Sequence, residues 1–301
     1  MPDKNILITG ATGLIGSALI PKLISKGFTP FILSTSVSDH KKNIYKWDPV
    51  MQTCEMLPNE EFFGIINLAG AGIAETKWNK KGKSLIKQSR IGSTLYLKNI
   101  INRLPIAPKH IISVSAIGYY GLINNETKTE NSANGNDFAA SVCKEWEQAA
   151  AKMETTNSRV SIIRIGIVLA KRGGFYKKIR DLAKWKIAAS LGAGEQPVCW
   201  IHMDDLVNIF TDILEGKIKP GIYNAVAGIN SNREVTEIIA QRNGQPFVWP
   251  AIPSFMLKIM FGEKAEMFLD GPEISSSKLK EAGFHFQYSD INKAIADLAK
   301  N

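Results

Sequence analysis

A doubly wound parallel α/β sheet with a smaller, mostly helical C-terminal lobe is the fold class this sequence predicts. Three observations predict it. The apolar run Ile6-Leu7-Ile8 passes Thr9 and three glycines, Gly10, Gly13 and Gly16, and continues directly into a helical pattern. Short apolar runs then alternate with amphipathic stretches through the first half of the chain, the rhythm of parallel strands joined by crossover helices. The length of 301 residues, 45% of them hydrophobic, is enough to bury a large core.

The first strand is expected at 5–9 and the first helix at 14–26. Between them Gly10 takes a tight turn at positive φ, which a side chain would resist. Gly13 lets the backbone approach a pyrophosphate, and Gly16 lets the helix pack closely on the strand. The helix then aims its free N–H groups and positive dipole end at phosphates. Phe31-Ile32-Leu33 follows Gly27 as a second strand over 30–34 and completes a βαβ unit. This elbow is expected to bind a dinucleotide, against the alternative of a glycine turn of purely structural use.

Further strands are expected at 63–68, 110–115 and 160–166, and helices at 82–103 and 137–154. The continuous apolar runs Gly64-Ile65-Ile66-Asn67-Leu68 and His110-Ile111-Ile112-Ser113-Val114 suit central positions in a buried sheet. After residue 170 the pattern loosens. A basic segment over 171–190 precedes Val198-Cys199-Trp200-Ile201, and Gly221-Ile222-Tyr223-Asn224-Ala225 offers another strand. From about residue 230 the chain reads as helical, with proline-rich joints from Pro246 to Pro253. The expected division is 1–170 with 198–228 as the dinucleotide-binding domain, and 171–197 with 229–301 as a substrate-side lobe.

The formal net charge is +9, carried mostly by dispersed lysines with a short cluster at Lys80-Lys81-Gly82-Lys83. Such dispersion reads as a solvated basic surface rather than a nucleic-acid face, though it still attracts anionic ligands. No apolar stretch is long enough to span a membrane. The charged start Met1-Pro2-Asp3-Lys4-Asn5 runs into the first strand, which argues against a signal peptide. Cys54, Cys143 and Cys199 are far apart and show neither metal-ligand spacing nor a disulfide framework. A cytoplasmic protein without a metal site is expected.

Motifs accumulate along nearly the whole chain. They are Gly10-Ala11-Thr12-Gly13-Leu14-Ile15-Gly16, Trp47-Asp48-Pro49, Asn67-Leu68-Ala69-Gly70-Ala71-Gly72, Trp78, Lys83 and Ser89-Arg90. Ser115-Ala116-Ile117-Gly118-Tyr119-Tyr120-Gly121, Trp146-Glu147, Arg164-Ile165-Gly166-Ile167-Val168-Leu169 and Gly173-Gly174 follow. Trp200-Ile201-His202-Met203-Asp204-Asp205-Leu206 and Gly221-Ile222-Tyr223-Asn224 complete the set. This ordered set resembles the extended short-chain dehydrogenase/reductase superfamily, and within it an atypical branch, the epimerase-like family. The resemblance implies a Rossmann-like sheet, bound NADP(H), a C-terminal lobe forming a substrate pocket, and a poorly defined physiological reaction. It implies cofactor contacts from Gly10, Thr12, Gly13, Leu14, Ile15, Gly16, Ser34, Thr35, Ser36, Leu68, Ala69, Gly70, Arg90, Val114, Ser115, Cys143, Ile165 and Gly166. Dimers are common among relatives, and no residue here decides the matter.

An acidic residue at the end of the second strand would accept both ribose hydroxyls and favour NAD(H). Here Ser34-Thr35-Ser36-Val37-Ser38 puts no carboxylate against a 2′-phosphate, and His40, Lys41 and Lys42 lie close in sequence as sources of positive charge. NADP(H) is therefore favoured over NAD(H), although the family often carries an arginine near Ser36 and this chain does not.

Catalysis in the superfamily rests on a tyrosine acid/base, a lysine four residues later, a serine and a helical asparagine; the lysine keeps the tyrosine partly ionised. If Glu147 is the glutamate that usually follows the lysine by four, Cys143 holds the lysine position and Ala139 the tyrosine position. Lys144 is about 100° around the helix and does not replace it. Arg90 stands at the asparagine position, and Ser115 alone keeps its place. Tyr119 and Tyr120 are the replacement acids to weigh, against packing roles with bonded hydroxyls. Cys143 beside Arg90 is a thiol to weigh against a small buried hydrophobe. Trp78, Lys83 and Tyr119 are the expected substrate contacts, with Lys83 and Arg90 nearly two helical turns apart on one face. His202 and Asp205 read as a strand-to-helix joint, with Asp204 or Asp205 near an N-cap.

The expected function is an NADP(H)-binding oxidoreductase-like protein acting on an unknown small molecule without the usual Tyr-x-x-x-Lys pair. The alternative is a weak or inactive NADP(H)-responsive binding protein. A nucleotide-sugar epimerase or dehydratase ranks last, because it needs the same tyrosine.

Overall fold

The structure, a computed structural model, describes residues 4–58, 60–73, 75–122, 126–247 and 251–300. Met1, Pro2 and Asp3 of the charged start, and residues 248–250 of the proline-rich joint, lie outside the described residues.

The strands are β1 (Asn5–Thr9), β2 (Thr29–Ser34), β3 (Ile44–Asp48), β4 (Thr53–Cys54), β5 (Gly64–Asn67), β6 (His110–Ala116), β7 (Arg159–Ile165), β8 (Ile167–Ala170), β9 (Pro197–His202), β10 (Ile222–Ala225) and β11 (Gly228–Ser231). Eight of them form one mostly parallel sheet in the order β10-β7-β6-β5-β1-β2-β3-β4, a Rossmann-like α/β arrangement. The helices are α1 (Leu14–Ser25), α2 (Lys80–Lys87), α3 (Ser93–Ile101), α4 (Phe138–Ala151), α5 (Gly174–Lys184), α6 (Met203–Leu214), α7 (Asn232–Arg242), α8 (Ser254–Phe261), α9 (Glu266–Leu269), α10 (Ser277–Glu281) and α11 (Ile291–Ala299).

The chain divides into two compact units. The first holds Met1–Ser115, Ser141–Arg164 and Val207–Tyr223; the second holds Ala116–Ala140, Ile165–Leu206 and Asn224–Asn301. These boundaries differ from the expected 1–170 with 198–228 and 171–197 with 229–301.

In the first unit, β1 pairs in parallel with both β2 and β5, setting Leu7 opposite Phe31 and Ile65. All three side chains are buried, as the uninterrupted apolar runs require, and they share a core with Trp47, Tyr96, Leu97 and Ile111. β3 was not expected. Its burial alternates, with Tyr45 and Trp47 inside and Lys46 exposed, so the charged residue breaks the apolar run that marks an interior strand. The expected helix at 82–103 is three pieces: α2, a π-helical turn over Gln88–Gly92, and α3.

In the second unit β8, β9 and β11 form a separate three-stranded sheet in which β8 runs parallel and β11 antiparallel to β9. The sequence reads 160–170 as one apolar run, yet Gly166 separates β7 from β8. A Cβ at Gly166 would lie 2.6 Å from the Cys199 carbonyl oxygen, so only glycine lets the chain pass there. The basic segment over 171–190 contains α5, which buries Tyr176, Ile179 and Ala183 while Lys178 and Lys184 face water.

Candidate functional site

The first unit builds its site where the strand order reverses. From β1 the chain adds β2, β3 and β4 on one side; β5 then lies on β1's other flank. In open α/β sheets such a reversal leaves a crevice outside the carboxyl ends of the two strands. A cavity of about 330 Å³ lies there, lined by Gly10, Thr12, Gly13, Ser34, Thr35, Ser36, Leu68, Ala69 and Gly70 among the expected residues. The structure adds Trp47, Pro49, Ser89 and Ser93. Arg90, Val114, Ser115 and Cys143 belong to the same unit but do not line this cavity. Ile165 and Gly166 belong to the second unit.

The elbow has the shape its glycines allow. Gly10 sits at φ +68°, and a Cβ on it would meet the Leu68 carbonyl oxygen at 2.6 Å. A Cβ on Gly16 would lie 2.6 Å from the Ala11 Cα. Gly13 donates its N–H to the Gly10 carbonyl at 3.1 Å, and α1 starts with Leu14, Ile15 and Gly16. No acidic residue occupies the first turn of α1, so its positive end is not neutralised locally.

A buried polar seam fixes the opposite lip. The Thr9 hydroxyl donates to Asn67 Oδ1 at 2.8 Å and accepts from the N–H groups of Leu68 and Ala69, each at 3.2 Å. Asn67 Nδ2 donates to the hydroxyls of Thr94 (2.9 Å) and Ser113 (3.1 Å), and Trp146 Nε1 also donates to Thr94 at 3.1 Å. Each buried amide hydrogen is thereby satisfied. The signal for Asn67 in the sequence is a single polar residue ending an otherwise apolar strand; its partners come from three other elements and left no trace at sequence level.

At the end of β2 no carboxylate stands among the described lining residues. The nearby basic residues are partly engaged. Glu55 accepts from the Lys46 N–H and from Ser38 (both 2.7 Å) and faces His40 Nε2 at 3.2 Å; the Lys46 N–H, then Ser38 and His40, hold its carboxyl down at about 2. His40 stacks on Tyr45 with ring centroids 4.9 Å apart, and Lys42 pairs with Asp39 at 3.1 Å.

Arg90 lies in the π-helical turn that follows α2. Its guanidinium sits 5.3 Å over the Trp146 ring, and a Cβ on Gly70 would come within 3.2 Å of its Cζ. Nη1 donates to the Ile86 carbonyl at 3.4 Å, and among the described residues no carboxylate pairs with it. Burial pushes its pKa down, and the neighbouring Cys143 thiol pulls it up. Lys83 Nζ instead lies 5.8 Å from the Trp78 ring.

Ser115 does not stand free. Its hydroxyl donates to Glu147 Oε1 at 2.7 Å. Arg164 closes the network with Nε to Oε1 and Nη2 to Oε2, each at 2.9 Å. This Ser115–Glu147–Arg164 network was not foreseen, because an arginine inside the apolar run of β7 gives no hint of its partner. In the second unit the Tyr120 hydroxyl donates to Asn224 Oδ1 at 2.7 Å, and its ring is buried. Tyr119 meets that ring edge-on at 5.4 Å and packs on the cluster of Cys199, Val226 and Ile274.

The joint before α6 is the expected strand-to-helix junction, with Asp204 and Asp205 in the first turn of the helix. The Asp204 N–H donates to His202 Nδ1 at 3.2 Å, so the imidazole caps the helix. Asp205 instead accepts from the N–H groups of Gln287 (2.7 Å) and Tyr288 (3.0 Å). His202, Asp204 and Asp297 stand close enough to share a metal ion. An imidazole accepting at Nδ1 carries its proton on Nε2, however, which leaves no lone pair for a metal. That Nε2 faces Asp297 at 3.6 Å.

No helix among the described residues is long and apolar enough to cross a membrane. A family model described as the NAD dependent epimerase/dehydratase family matches residues 6–225, and one described as a domain of unknown function matches 252–298. The chain is 32% identical to the chloroplastic epimerase family protein SDR39U1 homolog of Arabidopsis thaliana, over 97% of this chain and 86% of that protein. It is 31% identical to an epimerase family protein of Staphylococcus saprophyticus, over 98% of this chain and 99% of that one. The crystal structure of human epimerase family protein SDR39U1 (isoform 2) with NADPH superposes with a TM-score of 0.90 at 26% identity, covering 99% of both chains. With its glycine elbow at the strand-order reversal and this match across most of its length, the chain belongs to the NAD dependent epimerase/dehydratase family.

Proposed function

We propose that this chain binds NADP(H) in the cavity of its first unit and acts as an oxidoreductase-type enzyme on a small molecule. The observation that carries the reading is the cavity wall at the end of β2, where Ser34, Thr35 and Ser36 stand and, among the described lining residues, no carboxylate repels a 2′-phosphate. The human relative's structure with NADPH supports it. The residues fit the group: Gly10 and Gly16 leave no room for a Cβ, and the first turn of α1 offers uncompensated amides to a pyrophosphate. Bound nicotinamide supplies or accepts a hydride; this chain's residues bind and orient it. The Thr9–Asn67 seam holds Leu68 to Gly70 against the elbow, and Arg90 brings its guanidinium against Gly70. Titration calorimetry tests the reading. NADPH is expected to bind at least about tenfold more tightly than NADH, ~1.4 kcal/mol; NADH binding as tightly would overturn it.

A second reading, cofactor binding with little turnover, is favoured by Ala139 and Cys143 and by the engaged hydroxyls of Ser115 and Tyr120. Those hydroxyls donate to protein acceptors instead of standing ready to pass a proton to substrate. Single-turnover absorbance of bound NADPH against a panel of aldehydes and ketones separates the two. Oxidation by any of them supports the enzyme; none, together with tight NADPH binding, supports the binding protein.

A further inference from the structure

The second unit has a cavity of its own, about 150 Å³, near the size that holds a benzene ring. Every lining residue comes from that unit, so the inference stands apart from the cofactor reading. Its walls are apolar: Ile117, Leu122, Ile167, Met267 and Ile274. Ala139 contributes only a methyl group, which leaves room where a longer side chain would fill the space. Cys199 contributes neutral sulfur surface, since burial pushes its thiol up to about 12 and Sγ lies 3.6 Å from the Pro272 carbonyl oxygen.

The charge of this cavity has one sign. Asp137 and Asp270 line it, and no lysine, arginine or histidine stands among its described lining residues. Asp137 is half-buried; one carboxylate oxygen accepts the Ala140 N–H at 2.9 Å at the start of α4, and among the described residues no cation is bonded to the other. Asp270 is exposed and accepts the Gly271 N–H at 2.8 Å. Two carboxylates beside an apolar wall repel an anion and attract an ammonium group. A diphosphate, the most anionic part of a nucleotide sugar, would meet this repulsion without a compensating cation.

The geometry points to a ligand site in the second unit that takes a compact apolar group, uncharged or bearing an amine, and rejects anions. Ligand-observed NMR on the full chain, with benzylamine, benzyl alcohol and benzoate as probes, tests it. Benzylamine and benzyl alcohol are expected to bind saturably, with benzoate at least about tenfold weaker than benzylamine. The double variant Asp137→Asn, Asp270→Asn keeps both backbone hydrogen bonds, because the asparagine Oδ1 accepts a hydrogen bond as a carboxylate oxygen does, and is expected to shrink that difference to about twofold. Ala139→Leu is expected to abolish binding of all three probes, with circular dichroism confirming the fold. Benzoate binding as tightly as benzylamine, a charge preference unmoved by the asparagine variant, or no saturable binding of any probe would each overturn the inference. Failure of NADPH to bind would leave it standing.

Discussion

Glu147 and Arg164 are 8% and 2% exposed, and two hydrogen bonds of 2.9 Å join them. Losing one partner of such a pair leaves an uncompensated buried charge, which costs about 3–5 kcal/mol. Glu147→Gln is therefore predicted to lower the urea unfolding free energy by about that amount. Ser115→Ala removes only one hydrogen bond to a charged group, and its predicted cost is smaller, about 1.5–3 kcal/mol. Equal costs for the two variants would show that the carboxylate is not what holds Arg164. At Gly10, φ +68° and the Leu68 carbonyl leave no space for a methyl group. Gly10→Ala is predicted to weaken NADPH binding about tenfold or more, ~1.4 kcal/mol or above, by calorimetry, with a destabilisation of about 1–2 kcal/mol.

At the scale of elements, α6 and the segment that returns to it depend on His202 and Asp205. Burial pushes the His202 pKa below its ordinary value, against the pull of Asp204, Asp297 and Asp205. The unfolded chain therefore binds that proton more readily than the folded one. The stability tied to the neutral ring is full above about pH 6.5 and is lost as the pH falls from there toward the lower folded value. Burial, and secondarily Lys109, lowers His110 as well, which adds a contribution of the same sign. The melting temperature is predicted to fall between about pH 7.5 and 5.5. His202→Asn keeps an acceptor for the Asp204 N–H and removes the titration, so it is predicted to flatten that fall in part. A slope identical to the parent's would exclude His202 as a source. Burial also raises Asp205, although the Gln287 and Tyr288 N–H groups draw it back.

At the scale of the whole molecule, the net charge of +9 acts on the extra phosphate that distinguishes NADPH from NADH. Affinity for NADPH is predicted to fall more steeply with ionic strength than affinity for NADH, read by calorimetry at two salt concentrations. Parallel salt dependences would show that the 2′-phosphate meets no positive field. NADPH at about a hundred times its Kd is predicted to stabilise the fold by ~2.7 kcal/mol.

Local rules determined much of this protein. The glycines of the elbow are dictated by backbone sterics, and the interior strands β1, β2, β5 and β6 by uninterrupted apolar runs, because each depends on neighbours in sequence. Tertiary structure alone decided where the buried polar groups find partners. Asn67 reaches Thr94 and Ser113, Glu147 reaches Arg164, and His202 rather than an aspartate caps α6. It also decided that Gly166 ends one sheet and admits another, and that Lys46 marks a strand with one wet face. Hydrogen bonds and close approaches between distant segments depend on the folded path of the chain, and residue spacing along a single strand or helix carries no record of that path.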